Sequence, residues 1–345
     1  MTNARLTRRQ AAAGFASWLA ASPVLRGLQQ AGAPAGSGVP ADELVNTFEF
    51  GTMAERHLGA ATFAQIAGSD RRAFDRMTLR PRMMVSTLKL DLTTELFGEK
   101  MFAPVVVGPV SDQKRFHAGG ELDAVQGASA AKAVTVISNR SSVPLQEIAS
   151  QAKGTLWYQV YPERDMNGVR GQIDKAVELG CKAVCVTVGA PPGSPGLDWK
   201  ALDELRRGVR VPVLLKGIMS AEEAGSATER GFAGIVVSNH GAAPGAGLAE
   251  PVEMLPSIVE AVRGRAPVLV DGGFRRGTDI LKGLALGARA ILVARPVMWG
   301  LAAYGADGVR TVLKLLQTEL ARDMAMCGKI TVGEIDRKLV TIHQR

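Results

Sequence analysis

From residue 104 onward, short apolar runs alternate with amphipathic segments. The runs lie at 104–108, 133–138, 155–161, 183–189, 212–217, 234–240, 267–273 and 290–296. Each is rich in small and β-branched apolar residues with little alternation, as expected of strands in a parallel sheet covered on both faces. Helical spacing of the apolar positions predicts helices between them at 121–131, 145–152, 168–179, 199–206, 221–229, 252–262 and 277–286, and a long one at 299–325. Eight strand-then-helix units make a closed (β/α)8 barrel the most economical fold. Residues 41–99 read as a helical N-terminal extension, ending in an alternating stretch and a turn at 89–98. The barrel and its C-terminal helices take 100–345.

In such a barrel the C-terminal ends of the strands carry the chemistry. Here those ends present Ser138, Gln159 and Tyr161, Thr187, Lys216, Asn239 and His240, Asp271, and Arg295. A buried polar residue satisfied by its neighbours is common at any one such position. Polar or charged groups at most of the eight ends need another explanation.

The stretch Asp271-Gly-Gly-Phe-Arg-Arg-Gly-Thr-Asp279 follows one run and opens a helix, so backbone N–H groups and two arginines, Arg275 and Arg276, converge there. That is a phosphate seat. The last run delivers Arg295 to the same end. Lys216 leaves a buried strand, where a cation needs an anionic partner or a catalytic use. His240 is suited to take a proton near neutral pH. The simplest composite is a phosphate-bearing cofactor whose reactive ring lies between the lysine and the histidine.

Charge changes the picture only at the N-terminus. Half of the net charge of +8 comes from Arg5, Arg8, Arg9 and Arg26, in a stretch without Asp or Glu. No basic run with interleaved aromatics occurs in the remainder, so nucleic acid is not an expected partner. Thr7-Arg8-Arg9 precedes an alanine-rich apolar run at 11–21, too short for a membrane span of roughly 20 residues. Two readings stand for residues 1–40: a twin-arginine export signal with a linker, and a disordered basic tail. The first makes the protein extracytoplasmic and the second cytoplasmic. Cys181, Cys185 and Cys327 form no CxxC; Cys185 reads as a buried, inert thiol, and no metal site is expected.

Four strings carry a resemblance. Leu-Leu-Lys-Gly-Ile at 214–218, Ile-Val-Val-Ser-Asn-His-Gly at 235–241, the Asp271 to Asp279 stretch and Ala-Arg-Pro-Val at 294–297 closely resemble the FMN-dependent 2-hydroxy-acid oxidases and dehydrogenases. The likeness runs from about residue 74 to 335. It implies FMN at the barrel mouth, with its phosphate on Gly273, Arg295 and neighbouring backbone, including Ala294, and with Asp271 and Arg275 at the ribityl chain and phosphate. Ser138, Gln159 and Thr187 would hydrogen-bond the ring, and Gly108, Pro109 and Val110 would pack beside it. Lys216 would stabilise negative charge on the reduced ring, His240 would be the base, and Tyr161 would face the substrate.

The chain also departs from the family pattern. Ala243 stands where the family has a carboxylate-binding arginine, Gly189 where an aspartate supports the histidine, and 190–196 lacks a second arginine and a long insertion. A substrate-binding tyrosine is missing from the extension, where 63–68 reads Phe-Ala-Gln-Ile-Ala-Gly. Arg140 is an anion contact that could replace the lost arginines. The resulting expectation is an FMN-dependent oxidoreductase acting on a 2-hydroxy acid or related, anionic small molecule. The alternative is an FMN-holding protein without catalysis. A nucleotide dehydrogenase or flavin isomerase type of barrel ranks last, because no strand-end loop offers a cysteine nucleophile. Oxygen, a quinone and a cytochrome remain open as electron acceptor, as does homo-oligomerisation.

Overall fold

The eight apolar runs are the eight staves of a closed parallel barrel: β4 (Val105–Val107), β5 (Val134–Ser138), β6 (Leu156–Val160), β7 (Val184–Thr187), β8 (Val213–Ile218), β9 (Gly234–Val237), β10 (Val268–Val270) and β11 (Ala290–Val293). β11 pairs with β4 and completes the ring. The computed structural model describes residues 39–68, 71–82, 89–163, 165–188, 198–241 and 249–343. All but the last two residues of the expected leader and linker at 1–40, Gly189 with the loop 190–196, and Ala243 lie outside them. The chain divides into two units, residues 1–43 and 44–345. In the first, Ala41–Glu43 forms one 3₁₀ turn, closed by the Glu43 N–H on the Pro40 carbonyl at 3.1 Å.

In the second unit helices follow each predicted segment: α4 (Gly120–Ala130), α5 (Leu145–Gln151), α6 (Met166–Glu178), α7 (Trp199–Arg206), α8 (Ala221–Glu229), α9 (Pro251–Val262) and α10 (Gly277–Ala285). Their starts are fixed by local chemistry. Asp165, Asp198 and Ser220 accept from first-turn N–H groups of α6, α7 and α8. The terminal helix α11 (Arg295–Met326) differs from its expected start at 299. Pro296, read from sequence as the end of a strand, occupies the first turn, where its missing N–H costs nothing. α11 is also broken at Tyr304 and Gly305, the latter at φ +56°.

The extension is not purely helical. It holds α1 (Thr47–Leu58), α2 (Ala60–Phe63) and α3 (Arg72–Asp75), then β1 (Met77–Leu79), which pairs with the C-terminal β12 (Val340–Ile342). The hairpin β2 (Thr94–Leu96) and β3 (Glu99–Met101) plugs the barrel where its strands begin. Leu96, Phe97 and Met101 pack onto inward-facing Val106, Trp157, Leu214, Val236 and Leu292. Gly234, the first residue of β9, leaves room for Phe97: a Cβ there would lie 3.1 Å from the phenyl ring. With that end filled, the opposite mouth remains for a ligand.

Helices of the extension brace that mouth. Thr47 Oγ1 donates to the Arg275 carbonyl at 2.7 Å, Trp299 Nε1 donates to the Ile66 carbonyl at 2.8 Å, and Arg71 pairs with Asp279 at 2.7 Å. Phe74 packs edge-on against Phe274, with ring centres 5.0 Å apart.

Candidate active site

One cleft opens at the C-terminal ends of the strands, with about 850 Å³ of space continuous with solvent. Its walls include Pro109 and Val110 after β4, Gln159 from β6 and Tyr161 just after it, Lys216 from β8, His240 after β9, Asp271 to Arg275 after β10, and Ala294 and Arg295 after β11. The sequence assigned all of these except Gly272 and Phe274 to the site. Gln65, Ile66 and Met298 also line it.

Lys216 is buried, and its Nζ lies 2.9 Å from Asp271 Oδ2 and 2.8 Å from Ser238 Oγ. The lysine therefore has the anionic partner its burial demands, and among the described residues its third donor has no partner. Ser238 also accepts from the His240 N–H at 3.1 Å, which ties β8 to the turn after β9. His240 itself adopts φ +57°, a left-handed conformation that is strained for a residue with a Cβ. Its Nε2 lies 2.7 Å from the Val188 carbonyl oxygen. Burial, then the Lys216 charge, holds its pKa below the ordinary histidine value, against the opposing pull of the Val188 bond and Asp271.

On the opposite wall Gly272 and Gly273 take φ +90° and +83°, which turns the backbone sharply into α10. Asp279 caps that helix: its Oδ2 accepts from the Arg275 and Arg276 N–H groups at 2.8 and 2.9 Å. The Arg275 guanidinium is buried, lies over the Trp299 ring at 4.9 Å and donates to the Phe274 carbonyl. Burial, with Arg295 and Arg71 nearby, pushes its pKa down to about 9. Arg295 donates to the Gly241 carbonyl at 2.5 Å. Buried Arg275 and half-buried Arg295 share one corner, and Asp271, the carboxylate in the cleft wall, is paired with Lys216, so positive charge is left over for an anion.

Ser138 and Thr187 are buried behind the cleft. Thr187 Oγ1 accepts from Gln159 Nε2 at 2.5 Å, and Ser138 Oγ lies 3.3 Å from Ser111 Oγ. Gly108 extends the barrel ladder, donating to the Val293 carbonyl at 2.9 Å. Asn239 Oδ1 accepts from the Gly241 N–H and shapes the turn after His240. Arg140 stands outside the cleft wall as an exposed residue, with its guanidinium 4.2 Å from the centre of the Tyr161 ring. Sequence reasoning missed Ser238, although it shares the strand-end string with His240, and Gln65, which lies within the segment noted for its lost tyrosine.

Among the described residues, three buried polar atoms on cleft residues have no hydrogen-bond partner: Gln159 Oε1, Asp271 Oδ1 and Arg275 Nη2. Leaving such atoms unpaired costs roughly 1–3 kcal/mol each, so the site is built for a polar ligand. Two acceptors near the lysine and a cationic donor beside the double-glycine turn fit a flavin mononucleotide, with ring and ribityl chain toward the first and phosphate toward the second.

Comparison with known proteins gives the same answer. Residues 54–194 and 192–342 match the model for FMN-dependent dehydrogenases. The chain is 35% identical over 349 residues to a peroxisomal (S)-2-hydroxy-acid oxidase of Oryza sativa, an alignment covering 86% of this chain and 95% of that one. It is also 35% identical over 352 residues to an L-lactate oxidase of Nostoc, covering 85% and 96% respectively. The crystal structure of a mandelate oxidase superposes with a TM-score of 0.82 at 34% identity, covering 88% of this chain and all of the other.

Proposed function

The chain belongs to the FMN-dependent dehydrogenase family, and from that premise we propose that it oxidises the hydroxyl group of an anionic 2-hydroxy acid, with His240 as the base. When bound, FMN supplies the two-electron acceptor. Arg275, Arg295 and the backbone at Gly272 and Gly273 would hold its phosphate, while Gln159, Thr187 and Ser138 would hydrogen-bond its ring. Lys216, fixed by Asp271 and Ser238, would offset negative charge on that ring. His240 is held neutral by burial and by Lys216, so it can accept a proton from the substrate hydroxyl.

The observation that carries this reading is His240 beside the Lys216–Asp271 pair in the same cleft as the unpaired Gln159, Asp271 and Arg275 atoms. A protein that merely stores FMN has no use for a strained, neutral histidine there. Tyr161 and Gln65 face the substrate side. Arg140 would contact the substrate's anionic group from the rim, a reading supported by its guanidinium lying over the ring of Tyr161, which lines the cleft. The test is anaerobic addition of paired 2-hydroxy acids and their amides to the FMN-loaded protein. At least one acid should bleach the flavin band, and Arg140→Gln should weaken the response to the acid while sparing the amide. A bound flavin that no hydroxy acid reduces would favour the non-catalytic reading.

Export by the twin-arginine route is part of the same proposal, supported by Thr7-Arg8-Arg9 and the short apolar run behind it. Replacing Arg8 and Arg9 with Lys should leave the protein in the cytoplasm. Unchanged fractionation would remove this part of the proposal.

A further inference from the structure

Val188, the residue after β7, uses its backbone twice. Its N–H donates to the Lys216 carbonyl at 2.7 Å, and its own carbonyl oxygen lies 2.7 Å from His240 Nε2. A carbonyl oxygen can only accept, so Nε2 carries the hydrogen and the lone pair of the neutral ring sits on Nδ1. Among the described residues Nδ1 makes no hydrogen bond, and His240 lines the cleft.

This contact depends on a glycine. Gly217 has φ +106°, and the pairing of β8 with β9 shifts register between Lys216 and Ile218. A Cβ at Gly217 would lie 2.0 Å from the Val188 oxygen and 2.5 Å from His240 Nε2. A side chain would therefore fill the space occupied by the hydrogen bond. The bulge serves a second purpose, since it lets Lys216 face the cleft while the next residue yields to the histidine ring.

We propose that the Val188 main-chain carbonyl, admitted by Gly217, is the group that orients His240, and that Nδ1 is therefore the atom that takes the substrate's proton. The inference rests on the reading of His240 as the base. Oxidation of CH–OH to C=O releases two electrons and two protons. The electrons go to FMN with one proton, and Nδ1 takes the other while Nε2–H keeps its bond to Val188. Because an uncharged carbonyl stabilises an imidazolium less than a carboxylate does, the ring's charge state is set by burial and by the ionised groups around it. These are Lys216 on β8 and Asp271 after β10. Gly217 is a positioning residue in this arrangement, acting through the ring it leaves room for.

The chain has four histidines, so ¹⁵N-histidine spectra of the FMN-loaded protein can be assigned, with His240→Gln identifying one signal. The expected result is a neutral His240 with Nε2 protonated and Nδ1 bare. The opposite tautomer overturns the proposal. Gly217→Ala should mix the tautomers and lower kcat by roughly 10²-fold, with KM and FMN content unchanged. A parent-like spectrum and kcat in that variant would remove Gly217 from the account. If the variant does not fold, the spectrum of the unaltered protein decides alone. The tautomer is read without substrate, so its failure is distinct from a failure of every 2-hydroxy acid to reduce the flavin.

Discussion

Single residues in this site owe their properties to the groups around them, and His240 shows it best. Its lowered pKa means that the neutral, proton-accepting form persists to lower pH than for an exposed histidine at about 6.5. kcat/KM should therefore stay level as pH falls through about 6.5 and drop only below it. A base limb at or above that value would contradict the environment described. The same shift acts on stability. The unfolded chain binds the proton first, so the fold loses stability as pH falls below about 6.5 toward the lowered value. His240, Lys216 and Asp271 were legible in the sequence because each interrupts an apolar run at its C-terminal end. The Val188 carbonyl was not, since every residue has one and only the fold decides where it points. Ser238 was passed over for a related reason: a serine in a strand is so easily satisfied locally that its two bonds to catalytic groups leave no mark on the pattern.

Among the elements, α10 decides whether the anion corner exists. Its cap, Asp279, is buried and accepts from two backbone N–H groups and from Arg71. Asp279→Ala would leave those donors uncompensated, at a cost of roughly 2–4 kcal/mol once the partial exposure of Arg71 is allowed for. The expected outcome is a lower urea midpoint together with reduced FMN occupancy. A loss below about 1 kcal/mol with full occupancy would show that the turn holds itself. The barrel strands and most helices were readable because their apolar periodicity is strong and their lengths are ordinary. α11 began earlier than expected because a proline both ends strands and starts helices, and local sequence does not say which. β1, β2, β3 and β12, at three residues each, are too short to imprint a period. Only the turn after β2 announced the hairpin.

For the molecule as a whole, counting eight strand-then-helix units pointed to the closed barrel, the most economical arrangement of eight parallel strands covered on both faces. What sequence could not give is the way distant parts of the chain meet, as when the extension reaches over the cleft with Gln65 and Ile66. The pairing of β1 with β12 carries a consequence in time. Met77–Leu79 is synthesised long before Val340–Ile342. Until the later strand leaves the ribosome, β1 has no partner strand and the extension that covers the cleft is unanchored at that end. Flavin capture should therefore wait for Val340–Ile342 to emerge. Ribosome-bound chains halted at Leu339 should retain no FMN when isolated, whereas released chains that include Val340–Ile342 should; flavin held by the halted chains would mean that capture does not need the pairing of β1 with β12.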